Sequence, residues 1–445
     1  MAERAHRLVL ALLAGAVVCA LAFGYWQWPY SPLARLDKVA ANPRSEAGRL
    51  PVRRGGVFDR HGEPLLAPVP TGPSPAGGAR TAAAFPPAAG PLIGYRDVRL
   101  GESGLEAAFD SYLRGAAGGA LWRWFAPPSR PHEAGDDVIT TLDGALERAA
   151  AEALGDRTGA IAVVDAQNGE ILALASGPGF DPTTAASTWR RLLSDPAQPL
   201  FPRATLGLYP PGSTFKIVVL AAALATGRVR PDDVFDDPGT IVVDGAKLHD
   251  DVIMDHGSLS TLEAFAHSSN VAFVQIGQRT GAEAIQALAA RLHLGDRPES
   301  FALALPAVSG RIPPLAALDA RALAQISFGQ GGLLVSPLEM ALIAAAIADG
   351  GVWHAPRLLR RVTAPGGRIV KLEAPLAAER VLPPQTAAET AWAMRLAVTD
   401  GTGRGAELPD VAVAGKTGTA ENPHGAPHAW FVGFAPAGAP RLAFA

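Results

Sequence analysis

Hydrophobic and polar positions divide the chain into three stretches. Residues 8–26 form an uncharged apolar run, long enough to cross the hydrocarbon of a bilayer as a helix. Arg4, His6 and Arg7 precede it, and Tyr25, Trp26, Trp28 and Tyr30 supply an interfacial aromatic belt at its end. The run predicts a single transmembrane signal anchor in segment 1–30, with its basic end in the cytoplasm. A cleaved signal peptide ending at Ala20-Leu21-Ala22 is the alternative. Residues 31–135 show no sustained period, and proline and glycine crowd between Pro68 and Gly94, so loops and short strands are expected. Two islands, Arg53 through Gly62 and Gly94-Tyr95 with Gly104-Leu105-Glu106, read from their residues as turns with charged flanks.

From Asp136 onward the pattern becomes regular. A short strand near 137–142 leads into an amphipathic helix at 144–153. Two apolar runs, 161–166 and 171–176, are hinged at Asn168-Gly169, a hairpin signal. Apolar helices are predicted at 215–225, closed by Gly227, and at 338–348, closed by Gly350-Gly351. Strands return at 411–414 and 429–434. Strands at both ends with helices between them imply an α+β fold, an antiparallel sheet covered by helical layers.

Composition narrows the class. With 445 residues, 48% hydrophobic and 18% charged, the chain has material for two or three folded domains. A net charge of −3 leaves no basic footprint for nucleic acid. Cys19 is the single cysteine, so no internal disulfide forms and stability rests on packing.

Charge usage then points to chemistry. Of 39 basic residues only five are lysine, and two of these are Lys216, in Ser213-Thr214-Phe215-Lys216, and Lys416, in Lys416-Thr417-Gly418-Thr419. Guanidinium keeps its proton near neutral pH, whereas a desolvated lysine amine can lose one. Ser213 follows Pro210-Pro211-Gly212 and opens an apolar helix, where unpaired backbone N–H groups favour developing negative charge. The i, i+3 spacing places the Lys216 ammonium on the same helix face, poised to accept the serine proton. Ser268-Ser269-Asn270 lies at the break between a short helix opened by Ser260 and Glu263 and a second beginning near Val271. There Ser268 can relay a proton and Asn270 can hold an amide. In Lys416 through Thr419 the lysine offers a cation for a carboxylate, the threonines offer hydroxyls, and Gly418 on an edge strand admits a close backbone. Each element alone is weak: an N-cap serine with a solvated lysine, a second cap, a surface turn.

Together and in this order, Ser-x-x-Lys, Ser-x-Asn and Lys-Thr-Gly resemble the set that defines penicillin-binding proteins and β-lactamases of the same fold. Tyr209-Pro210-Pro211-Gly212, Phe328-Gly329-Gln330-Gly331 with Ser336-Pro337, Gly401-Thr402-Gly403 and the segment His428 through Phe434 match the same family. The last, with the Arg54-Gly55 to Gly62 island, is similar to its class B, monofunctional members. The resemblance implies a penicillin-binding protein/β-lactamase-like transpeptidase fold at 136–445, preceded by a small non-catalytic pedestal domain at 31–135.

The implied activity is peptidoglycan D,D-transpeptidation on D-alanyl-D-alanine stem peptides, with covalent binding of β-lactams. Ser213 would be the nucleophile, Lys216 its base, and Ser268 and Asn270 relay and substrate contact. Lys416, Thr417, Gly418 and Thr419 would bind substrate, and the N–H groups of Ser213 and Thr419 would form the oxyanion hole. No cofactor is implied. The enzyme would sit in the inner membrane through one helix, its catalytic domain outside the cytoplasm. Because 31–135 has no room for a glycosyltransferase domain, a multi-spanning membrane glycosyltransferase is the implied partner. Rivals within the fold are a D,D-carboxypeptidase and a β-lactamase or β-lactam sensor; outside it, a non-catalytic cell-wall scaffold.

One departure concerns the end of the chain. The chain stops at residues 441–445 just as the family's next core strand and C-terminal helix should follow, which implies either a fragment or a domain that closes in an unusual way; in a transpeptidase domain cut short there, strand 429–434 is expected to be an exposed apolar edge. Weaker groupings are His249, Asp250, Asp251, Asp255 and His256, and the pair His424 and His428. Both read as solvated loops rather than metal sites. Gly401 through Gly405 is no dinucleotide fingerprint, since its glycines are misplaced and it precedes a strand.

Overall fold

The computed structural model describes residues 53–68, 84–97, 99–115, 134–296, 303–374, 378–422 and 425–445. The expected anchor lies outside the described residues, and no described helix is long and apolar enough to cross a membrane.

In chain order, the elements that position the site begin with strands β1 (Val57–Phe58), β2 (Pro64–Leu66) and β3 (Asp137–Thr140). Helix α1 (Gly144–Leu154) and the hairpin β4 (Gly159–Asp165) and β5 (Ile171–Gly177) follow. The helical layers comprise α2 (Lys216–Ala225), α3 (Thr261–Ala266), α4 (Asn270–Thr280) and α5 (Pro337–Ala348). Strands β6 (Leu359–Thr363) and β7 (Ile369–Leu372), helix α6 (Pro384–Thr399), and strands β8 (Ala414–Ala420), β9 (His428–Ala435) and β10 (Leu442–Phe444) complete the set.

The central sheet has the order β8-β9-β10-β4-β5, antiparallel throughout. Its hairpin forms where Asn168-Gly169 predicts it, with Gly169 at φ 70°. Strand β5 is buried along its whole length, and α2 is buried from Lys216 to Leu224. A helix apolar on every side has no solvent face to offer and becomes the centre of the helical layers. Helix α5 is buried nearly as completely and packs on β4, β9 and β10. Ser336 and Glu339 close a full capping box at its start.

The end of the chain departs from expectation. Residues 442–444 suffice to make β10, which pairs Phe434 with Ala443 on one side and Ala443 with Val164 on the other. The strand 429–434 is therefore internal, with Phe434 fully buried, not an exposed edge. A second departure concerns β8. It begins at Ala414 rather than ending there, so Lys416-Thr417-Gly418 lies within the strand at the sheet's outer edge. The lysine and threonines interrupt the apolar pattern on which the earlier placement relied.

A second sheet, β7-β6-β3-β1-β2, draws strands from both sides of residue 135, with β1 running parallel to β3. The island from Arg53 to Gly62 is more than turns. Arg54 is buried and donates to Glu106 at 2.9 Å and to Asp110 at 2.6 Å, joining the two islands that the sequence separates by some fifty residues. Asp59 accepts the N–H groups of His61, Glu63 and Gly144, which ties the β1–β2 turn to the start of α1. One hydrophobic core runs from Val57 to Ala443.

Candidate active site

Ser213 lies in a single turn of 3-10 helix, Gly212–Phe215, that feeds directly into α2. Gly212 adopts φ 53°, a left-handed conformation open to glycine, and this bends the chain into the turn. The Pro210-Pro211 segment is held on two sides. Tyr209 exchanges backbone hydrogen bonds with Val335, and the Trp430 indole donates to the Pro210 carbonyl at 2.9 Å. Ser213 is buried but caps no helix, so the bland reading of it as an N-cap fails.

Lys216 is fully buried. Its ammonium donates to Ser268 O at 2.6 Å, to Asn270 Oδ1 at 2.7 Å and to Ser268 Oγ at 3.3 Å. Three acceptors match the three protons of an ammonium, and none of the three is Ser213. Burial pushes Lys216 down to about 7, against the opposing charges of Asp251, Asp250 and Asp237.

Ser268 owes its position to the end of α3. Ser269 N–H donates to Ala264 O and Ser268 N–H to Phe265 O, the crossed pair of a Schellman motif. Ser268 therefore takes the left-handed position at φ 63° where glycine is usual. A serine there is strained, and in that conformation its carbonyl and hydroxyl both face Lys216. Two residues on, Asn270 opens α4, Ser269 caps it, and Asp250 accepts the N–H groups of Asn270 at 2.5 Å and Val271 at 3.2 Å.

Lys416, on β8, is fully buried, and its ammonium donates to its neighbour's carbonyl, Thr417 O, at 3.1 Å. Burial and then the charge of Lys216 hold it well below the ordinary lysine range, with Asp251 opposing. The two lysines share an aromatic floor. Lys216 Nζ lies 5.3 Å from the Phe273 centroid, Lys416 Nζ lies 5.7 Å from that of Phe265, and the two rings are 6.1 Å apart. The sequence reading of Lys416 as a simple fixed cation thus meets a drier environment than expected.

The structure brings all three sequence motifs into this one place, and the comparisons agree with it. The family model described as the penicillin binding protein transpeptidase domain matches residues 159–445. The chain belongs to the class B penicillin-binding proteins. It is 35% identical over 379 residues to the peptidoglycan D,D-transpeptidase PbpA of Mycobacterium tuberculosis, covering 80% of this chain and 76% of that one. It is 32% identical to the stage V sporulation protein D of Bacillus subtilis, covering 79% and 57%. Among solved structures it resembles PBPA of M. tuberculosis with a TM-score of 0.78 at 33% identity, over 89% of this chain and 93% of that one. The transpeptidase domain of a peptidoglycan glycosyltransferase from Eggerthella lenta gives a TM-score of 0.79 at 30% identity, over 89% and 93%.

Within this penicillin-binding protein the structure also shows what sequence reasoning missed. A side chain on Gly418 would meet Thr214 Cγ2 at 2.8 Å and Pro211 O at 2.9 Å, so the glycine lets β8 close on the Ser213 turn. A Cβ on Gly212 would lie 2.4 Å from Thr419 O, and one on Gly329 would lie 1.8 Å from Gly212 O. The Ser213 turn is thereby clasped between β8 and Phe328-Gly329, with Gly212 N–H donating to Gly329 O at 3.1 Å. The glycine-rich string around residue 330 was visible in the sequence; its contact with the Ser213 turn was not. Of the acidic and histidine cluster, Asp250 and His256 come together with Asp237, their donor atoms within 4.8 Å of one another. Asp237, thirteen residues upstream of Asp250, had not been singled out. His428 lies beside Tyr209 with centroids 5.2 Å apart and the rings tilted by 58°, and His424 falls outside the described residues.

Proposed function

We propose that in this peptidoglycan D,D-transpeptidase Ser213 is the acylated nucleophile and Lys216 its base. The observation that carries this reading is the burial of Lys216 among Ser268 and Asn270, which brings its amine down to about 7 one helical turn from the serine. The neutral amine has two protons and a lone pair, so one of its three present contacts is released. The 3.3 Å contact to Ser268 Oγ is the weakest. The freed lone pair takes the Ser213 proton as Oγ attacks the carbonyl of the penultimate D-alanine, and the oxyanion is held by the N–H groups of Ser213 and Thr419. When the peptide bond breaks, the proton passes through Ser268 to the departing D-alanine amine. The amine of a neighbouring stem peptide then attacks the ester and gives up a proton to Lys216, which returns it to Ser213 Oγ as the ester bond breaks. Lys416, Thr417 and Thr419 hold the terminal carboxylate, Asn270 holds the donor's amide, and Gly418 lets the strand reach the nucleophile. An arriving carboxylate restores the charge that burial takes from Lys416, because an anion stabilises the ammonium beside it.

A β-lactam follows the first half of this path and stops. M. tuberculosis PBPA has been solved as its ceftriaxone, imipenem and penicillin G acyl-enzyme complexes. We read residues 8–26 as a retained anchor in 1–30, 31–135 as a pedestal and 136–445 as the transpeptidase domain outside the cytoplasm, with sugar polymerisation left to a multi-spanning membrane glycosyltransferase. Incubation with fluorescent penicillin, intact-mass measurement and peptide mapping test the catalytic reading. A persistent adduct on Ser213, absent from Ser213→Ala, is expected. Turnover of penicillin within seconds would assign the site to a β-lactamase instead.

A further inference from the structure

We infer that Thr402 is a positioning residue for the substrate carboxylate, acting through the hydroxyl of Thr417. The inference rests on the proposed carboxylate anchor of Lys416 and Thr417 and adds to it a residue from outside the three motifs. Thr402 sits in Gly401-Thr402-Gly403, just past the end of α6, fifteen residues from Thr417. Its Oγ1 lies 2.5 Å from Thr417 Oγ1, a full hydrogen bond between hydroxyls at the open side of the cleft.

Backbone hydrogen bonds fix the loop that carries it. Thr402 N–H donates to Ala266 O at 3.1 Å and Gly403 N–H to Ala397 O at 2.8 Å. A side chain on Gly401 would lie 2.2 Å from that same Ala266 carbonyl, so glycine is required for the approach. Ala266 ends α3, two residues before Ser268. Thr402 therefore bridges the helix that presents Ser268 and the strand that presents Lys416 and Thr417.

Proton counting gives the bridge its chemistry. Each hydroxyl has one proton and two acceptor sites, so within the pair one donates and the other accepts. When Thr402 donates to Thr417, the Thr417 proton is left free to point at an anion; when Thr417 donates, the free proton is that of Thr402. The arrangement in which Thr402 donates delivers the Thr417 proton to a carboxylate resting over Lys416, and the hydrogen bond behind it strengthens that donor. Without the Thr402 hydroxyl, Thr417 turns freely and the carboxylate loses a fixed donor.

The test is the rate of Ser213 acylation by two probes, benzylpenicillin and its methyl ester, which lacks the carboxylate charge. Labelling of wild type by benzylpenicillin checks the proposed function separately. Thr402→Val keeps the branched shape and removes the hydroxyl. It is expected to lower the second-order acylation constant for benzylpenicillin about tenfold, through the binding term and not the limiting rate, and to change that for the ester less than about twofold. Thr402→Ser should restore benzylpenicillin to within about threefold. Melting curves confirm that both variants fold. Equal losses for the two probes, a loss confined to the limiting rate, or no loss in Thr402→Val would each overturn the inference.

Discussion

The protonation of Lys216 can be read directly as a pH profile. An ordinary lysine titrates near 10.5; here burial brings the group to about 7. At pH 7 an unperturbed amine is neutral in roughly one molecule in 3,000, whereas an amine at 7 is neutral in about one of two, a gain of about three orders of magnitude in active base. In the proposed role the neutral form accepts the Ser213 proton, so acylation is expected to rise with pH. With a midpoint at 7 the neutral fraction is about 0.09 at pH 6 and about 0.91 at pH 8, so the rate should increase about tenfold across that interval and level off above it. The perturbation is Lys216→Arg, which keeps a positive charge but cannot shed it. Its acylation should fall at least about a hundredfold and lose the rise between pH 6 and 8. Lys416→Arg retains the charge a carboxylate requires and should keep a larger part of the rate at every pH. The assay is stopped-flow acylation by benzylpenicillin, whose carboxylate titrates far below this range. Melting temperatures exclude misfolding. A wild-type profile flat from pH 6 to 9, or Lys216→Arg acylating as fast as Lys416→Arg, would refute the assignment of Lys216 as base.

Two further outcomes are read in stability. Ser268→Gly relieves the left-handed strain that Ser268→Ala retains, so the glycine variant should be more stable than the alanine variant by about 1 kcal/mol in urea unfolding, with both losing most acylation activity; an alanine variant as stable as the glycine one would refute the strain. Glu147, fully buried in α1 and accepting the Leu174 N–H at 2.7 Å, is raised by burial from 4.5 to about 7. The folded form therefore binds the extra proton, and wild-type stability falls as pH rises from about 4.5 to 7. Glu147→Gln should remove that fall, gaining about 3 kcal/mol on wild type between pH 4 and pH 8. Parallel urea midpoints for the two proteins at both pH values would contradict it.

Local rules along the chain determined a good deal of this protein. The Asn168-Gly169 hairpin, the capping boxes at Ser260 and Ser336, and the apolar helices closed by Gly227 and Gly350-Gly351 all rest on interactions within a few residues, which sequence spacing reports directly. The order of the three motifs was enough to name the family. Tertiary structure decided what spacing cannot carry. Burial of Lys216 and Lys416 depends on helices and strands more than a hundred residues apart, and their two-phenylalanine floor comes from α3 and α4. The register that sets β10 between β9 and β4 depends on a partner strand near residue 164. Arg54 looked like a turn residue until Glu106 and Asp110 surrounded it. Gly418 read as an opening for substrate until the Thr214 side of it was seen to be filled. In each case the deciding quantity is the local dielectric or the space left by distant atoms, and both are properties of the folded assembly rather than of any short stretch of chain.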